Sequence, residues 1–225
     1  MHHFVDLFYP RLCIGCSRNL FVHEKDICWH CLHRLPRTQF HDMYDNPLER
    51  LFWGRIDIAA VTSFLYFTKS GLTQRMLHRL KYKGAQQVGQ KLGHLLGEEL
   101  KQSHRFEGLE AVVPVPLHPK KERLRGYNQS MTIARGLGEA LHIPALSDAL
   151  VRHDFTETQT KKGRLERWEN VSEAFGCPHS QAINGKKILL VDDVLTTGAT
   201  LEACGRVLQQ AGAQVFMATL ACALR

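Results

Sequence analysis

The chain has 225 residues, 44% of them hydrophobic, and a net charge of +7. That length builds one sizeable core plus a small appendage, while no apolar run approaches the roughly 20 residues that span a bilayer and no charged-then-apolar leader opens the chain. A cytoplasmic protein without membrane insertion is therefore expected, and its charge suits an acidic partner, either nucleic acid or a polyanionic small molecule.

After a short apolar segment closed by Pro10 come Cys13-Ile-Gly-Cys16 and Cys28-Trp-His-Cys31, two CxxC knuckles separated by eleven residues. The full count of seven cysteines is odd, which argues against a disulfide framework and for metal in a reducing compartment. Four thiolates complete a tetrahedral zinc site with no open position, and metal binding replaces the core that so short a segment lacks. Cys13, Cys16, Cys28 and Cys31 are thus the expected ligands of a structural zinc, with His23, His30 and His33 as near alternatives. A redox pair is the competing reading, but that needs a single CxxC beside a βαβ unit. The polar stretch from Arg34 to Arg55, with Pro36, Pro47 and Gly54, reads as a connection. We place a zinc module at residues 1–50 and a larger α/β domain at 51–225.

Residues Ile56 to Phe67 read as an early strand, and Leu72, Met76, Leu77 and Leu80 line one helix face. Between Lys69 and Lys91 lie six Lys or Arg and no acid. Arg75, Arg79, Lys81 and Lys83 around Tyr82 can be a solvated face, or a surface that reads backbone charge and base stacking of single-stranded DNA together. A second helix reaches about Leu100, and Ala111 to Pro116 reads as a strand ending in a stiff turn. Lys120, Lys121, Arg123 and Arg125, before Gly126, then place four cations in a loop at the strand's end, which suits a polyanion. The helix that follows uses Met131, Ala134, Leu137 and Leu141. Periodicity is lost from His153 to Gly176, and a loop that long is usually functional; Arg164 and Arg167 are its candidates for closing on phosphate.

Ile188 to Val191 has the length of a buried parallel strand and runs into Asp192 and Asp193. Thr196, Thr197, Gly198, Ala199 and Thr200 follow, opening a helix whose Leu201, Cys204, Leu208 and Ala211 recur at helical spacing. A loop at the carboxyl end of a parallel strand and the start of a helix is where α/β sheets bind phosphorylated ligands. The hydroxyls and N–H groups suit a phosphate, and the two carboxylates suit ribose hydroxyls or magnesium held through water. Val215 to Ala221 supplies a final strand, with Cys177, Cys204 and Cys222 as small buried hydrophobes.

The stretch from Lys187 to Thr200 closely resembles the phosphoribosyl pyrophosphate (PRPP) motif of type I phosphoribosyltransferases. The resemblance implies that Asp192 and Asp193 contact the ribose and that Thr196 to Thr200 cradle the 5′-phosphate. It likewise implies that Lys120, Arg123, Arg125 and Gly126 form a pyrophosphate loop, and that the segment with Arg164 and Arg167 closes over the ligand and excludes water. Together with the tandem CxxC, Lys81-Tyr82-Lys83-Gly84, Pro114-Val-Pro116 and Arg125-Gly-Tyr-Asn128-Gln129, the whole chain resembles the ComF family. Membership implies a type I phosphoribosyltransferase-like parallel sheet flanked by helices, behind an N-terminal zinc module, and a role in DNA uptake during natural transformation. The expected cofactors are structural zinc and magnesium with PRPP; the expected partners are PRPP or a related phosphoribosyl ligand, single-stranded DNA, and a helicase or channel component of DNA uptake. The alternative is a magnesium-dependent phosphoribosyltransferase acting on an unidentified acceptor, with Asp192 and Asp193 in the catalytic position.

Overall fold

The computed structural model describes residues 11–81, 85–153 and 174–223. Tyr82, Lys83, Arg164 and Arg167 lie outside the described residues. Helix α1 (Trp29–His33) begins within the second knuckle and carries its Cys31, and α2 (Pro47–Arg50) precedes strand β1 (Ala60–Tyr66). Helices α3 (Leu72–Arg79) and α4 (Gln86–Leu100) lead to β2 (Ala111–Pro114), α5 (Pro119–Arg125) and α6 (Gln129–Leu141). A two-stranded antiparallel ribbon of β3 (Val151–Arg152) and β4 (Phe175–Gly176) comes next. The chain then runs through β5 (Lys187–Leu195), α7 (Ala199–Gln210) and β6 (Gln214–Cys222).

Four strands form one parallel sheet in the order β1-β6-β5-β2. Successive side chains of a strand point to opposite faces, and the two cores divide accordingly. Leu189 and Val191 of β5 join Phe216 and Ala218 of β6 on the face covered by α3, α4 and α6. Ile188 and Leu190 join Val215 and Met217 on the face covered by α7. Helices α4 and α6 approach closely through glycine: a Cβ at Gly93 would lie 2.3 Å from the carbonyl oxygen of Ile133, and one at Gly136 would lie 1.9 Å from that of Gln90. The buried face of α6 is consequently Ile133, Ala134, Leu137 and Ala140, with Met131 and Leu141 only half-buried, because the glycines turn the helix toward α4.

The stretch expected as a connection is packed. Phe40, Leu48 and Phe52 are buried in the α7-side core, Leu48 and Phe52 completely. Asn46, with no exposed surface, caps α2 by accepting from the N–H groups of Leu48 (2.9 Å) and Glu49 (3.2 Å). Its amide also donates to the carbonyls of Val61 (2.9 Å), Met43 and Phe40, tying this layer to β1. The inward-facing Phe40, Leu48 and Phe52 are widely spaced, and the segment's longest apolar run, Leu51-Phe52-Trp53, is too short to mark an element in sequence.

The knuckles share a core with the body as well. Cys13, Ile14, Ile27, Cys28 and Cys31 belong to the same apolar cluster as Met76 and Leu77 of α3 and Leu80 at its C-terminal cap. Among the described residues, no helix is long and apolar enough to cross a membrane.

Candidate functional site

Strand β5 extends four residues beyond the expected end, so Asp192 and Asp193 sit on the strand itself rather than in a loop. Strand β2 stops earlier. Pro114 pairs with Val191, and Val115 N–H donates to the Val191 carbonyl at 2.9 Å, the last bond of this ladder among the described residues. From Asp192 onward β5 is therefore paired, among the described residues, only with β6, in the register Asp192 to Thr219 and Leu195 to Cys222. The result is a notch at the carboxyl end of the sheet, the position where open α/β sheets take ligands.

Asp192 is held from two directions. Its Oδ1 accepts from the Ser130 hydroxyl at 2.9 Å and from its neighbour's backbone, Asp193 N–H, at 2.8 Å. Burial pushes its carboxyl up to about 7, the adjacent Asp193 adds to the rise, and the two hydrogen bonds and the positive charge of Arg152 oppose it. A carboxyl raised in this way gains from a cation or a hydroxyl donor brought alongside. Ser130 is placed by the start of α6: Asn128 accepts from Ser130 N–H at 3.0 Å and donates to the Val115 carbonyl at 3.0 Å. Gln129, almost fully buried, accepts from Arg125 at 2.6 Å. The run Arg125-Gly-Tyr-Asn-Gln-Ser130 thus clamps the start of α6 to β2 on one side and to Asp192 on the other.

Beyond β5, Thr196, Thr197, Ala199 and Thr200 are exposed while Gly198 is buried. Gly198 has φ +78°, and a Cβ there would sit 2.9 Å from the Phe52 ring, so conformation and space both call for glycine. It precedes the twelve-residue helix α7, whose first turn has no side-chain cap from Gly198 and so presents N–H groups at the loop. Arg55 braces this loop from below, donating to the Thr197 carbonyl at 3.2 Å and pairing with the buried Glu202 of α7. Ser130, Arg55, Phe52 and Glu202 were not picked out from the sequence. Ser130 had a signal in the Asn128 cap two residues before it, whereas the Arg55–Glu202 pair spans 147 positions and has none.

Lys120, Arg123 and Arg125 were expected on a loop and instead lie on α5. Pro119 at its first turn, His118 accepting from Lys120 N–H at 3.2 Å, and Gly126 in the left-handed conformation at φ +83° delimit this helix. Lys120 and Arg123 are exposed. Arg75 and Arg79 face the first knuckle: Arg75 donates to the Gly15 carbonyl at 3.2 Å, and Arg79 to the Cys13 carbonyl at 2.8 Å and to the Ser17 hydroxyl. Lys81 is exposed.

The sulfurs of Cys13, Cys16, Cys28 and Cys31 all lie within 4.8 Å of one another, with Cys16 and Cys28 at 3.7 Å. Zinc–sulfur bonds of about 2.3 Å in a tetrahedron require sulfurs roughly 3.8 Å apart, so this set fits the ion. Backbone N–H groups of Gly15 and Cys28 point at the Cys13 sulfur, each at 3.3 Å. Burial resists ionisation of Cys13, yet these N–H groups outweigh it and bring the thiol down to about 7. No disulfide links the cysteines.

Residues 128–224 match the model of the phosphoribosyl transferase domain family. The chain is 31% identical to competence protein F of Haemophilus influenzae over 223 residues, covering 92% of this chain and 94% of that protein. It is 30% identical to the DNA utilization protein YhgH of Escherichia coli K12, covering 94% and 89% respectively. Among solved structures, the glutamine PRPP amidotransferase of B. subtilis complexed with ADP and GMP aligns with 64% of this chain and 30% of its own, at 19% identity and a TM-score of 0.48.

Proposed function

The chain belongs to the competence protein F (ComF) family, and from that premise we propose that it binds PRPP, or a nucleotide 5′-phosphate, in the notch at the end of β5, and acts on single-stranded DNA during DNA uptake in the cytoplasm. The observation that carries this reading is the convergence on one sheet edge of Asp192 and Asp193, the hydroxyls of Thr196, Thr197 and Thr200, and the open start of α7. Phosphate accepts the N–H and hydroxyl donors, and the carboxylates accept ribose hydroxyls. Asp192 and Asp193 would also hold magnesium, which neutralises the pyrophosphate of such a ligand. Lys120 and Arg123 on α5 supply cations for that pyrophosphate or for a DNA backbone.

Calorimetry of PRPP with magnesium tests the site. Asp192→Asn with Asp193→Asn is expected to abolish binding without lowering the unfolding temperature, and unchanged affinity in that variant would reject the assignment. Release of pyrophosphate over a panel of acceptors separates a binding protein from a phosphoribosyltransferase.

A further inference from the structure

Two adjoining cavities on the zinc module, one cationic and one aromatic, have the complementary chemistry of a nucleotide. The first, of about 500 Å³, lies in the seam between the knuckles and α3. Arg18, Arg34, Arg75 and His30 line it together with the hydroxyl residues Thr68 and Ser70, and no carboxylate among the described residues does. The second, of about 430 Å³, shares Arg18 and His30 with the first and continues over Phe21, His23 and Trp29. Phe21 is 69% exposed and Trp29 55%, an unusual degree for rings of this size. Phe21 stacks on His23 at 6.0 Å and Trp29 on His33 at 6.3 Å, so each ring is braced on one side by an imidazole. Glu24, the one acid lining the aromatic cavity among the described residues, is turned inward, its two oxygens accepting from the N–H groups of Phe21 and Trp29 at 2.9 Å.

Arg75 is held by the carbonyls of Gly15 and Ser70, but the other two arginines of the seam are not committed to an acid or a carbonyl among the described residues. The side chain of Arg18 has no hydrogen bond or ion pair among the described residues, and Arg34 touches only the imidazole of His30, at 3.2 Å. Three arginines beside four cysteines invite the reading that they neutralise a zinc–thiolate cluster. Among the described residues, however, the sulfurs accept from backbone N–H groups and no guanidinium donates to them.

We propose that this face of the zinc module is a nucleotide seat: the arginine cavity takes a phosphate, and the Phe21–Trp29 wall stacks its base. Guanidinium groups bind phosphate oxygens through paired N–H donors, and aromatic rings stack any base without reading its sequence. The phosphate can come from a free nucleotide or from a single strand. In the second case the seat locates the strand-binding surface and rests on the DNA part of the function proposed above; it is independent of the PRPP assignment.

The full-length, zinc-loaded protein is titrated with dTMP and, separately, with a fluorescently labelled 20-nucleotide single strand, in three forms: wild type, Arg18→Ala with Arg34→Ala, and Trp29→Ala. Zinc content and unfolding temperature verify that each variant is intact. dTMP is expected to shift the Trp29 indole resonance of the wild type, and the arginine variant to lose that shift. For the oligonucleotide, the arginine variant should bind at least tenfold more weakly at low salt. It should also lose about 1.4 from the log–log salt slope, at roughly 0.7 per phosphate contact. Trp29→Ala should weaken binding about five- to a hundredfold with the slope preserved. A dTMP response without strand binding supports the seat with a free nucleotide as its source and rejects the DNA reading alone. Strand binding that neither variant weakens, or a dTMP response that survives in the arginine variant, overturns the seat while leaving strand binding itself standing. Absence of both responses in the wild type overturns both.

Discussion

At the scale of single residues, Asp192 carries the strongest electrostatic signature of the notch. Its carboxyl is raised to about 7 in the folded chain and returns to the ordinary carboxylate range on unfolding. Between those two values the folded state holds more protons, so Asp192 favours folding at low pH and its contribution declines as pH climbs toward 7. Asp192→Asn removes that dependence. Urea unfolding should show the variant gaining on wild type by on the order of 2 kcal/mol between pH 4.5 and 8, and parallel pH profiles would contradict the assigned burial. Asn46 offers a different test. Its amide serves five backbone groups with no exposed surface, so Asn46→Ala should cost about 2–4 kcal/mol in urea unfolding, combining a lost helix cap with unsatisfied carbonyls.

At the scale of elements, the contact of α4 with α6 and the seating of the knuckles on α3 set the behaviour of the body. Gly93→Ala would drive a methyl into the backbone of α6 at Ile133, where neither partner can rotate away. The expected loss is about 2–4 kcal/mol, read as a lower urea midpoint with PRPP affinity unchanged. Zinc removal should not be confined to the first thirty-odd residues, because Arg75 and Arg79 of α3 hold the carbonyls of Gly15 and Cys13 and the cysteines share the core of Met76 and Leu80. Chelation is expected to raise amide exchange in α3 as well as in the knuckles, while β5 and β6 stay protected; exchange confined to the knuckles would show that α3 stands without them.

At the scale of the whole molecule, the parallel sheet and the four-cysteine cluster were legible because each has a local signature: an apolar run ending in acids and hydroxyls, and a doubled CxxC. The layer from Phe40 to Phe52 was not legible. Leu48 and Phe52 are four apart on a helical turn too short to show a period, and Asn46 acts through backbone groups that carry no sequence identity. The role of Ser130 toward Asp192 depends on how β2 and β5 lie side by side, which no local pattern encodes. Likewise the basic stretch around Arg75 and Arg79 announced its charge, but its direction, toward the knuckle carbonyls, follows only from the packing of α3. Ligand binding provides a global readout of the site. PRPP with magnesium at about a hundred times its dissociation constant should stabilise the protein by about 2.7 kcal/mol, or roughly 5–10 °C in a thermal melt for a chain of this size. Asp192→Asn with Asp193→Asn should show no such shift.

The short β2 has one more consequence, which concerns encounters between molecules. Past Val191, the flank of β5 that faces away from β6 has no strand partner among the described residues, and such edges recruit strands from other chains unless something blunts them. The N–H of Asp193 is withdrawn from that edge by the carboxylate of Asp192 at 2.8 Å, so one side chain both shapes the notch and shields it from intermolecular pairing. Alanine at position 192 would strip the guard along with the ligand group, and light scattering should reveal self-association of that variant at concentrations where asparagine, whose amide oxygen still accepts the bond, stays monodisperse.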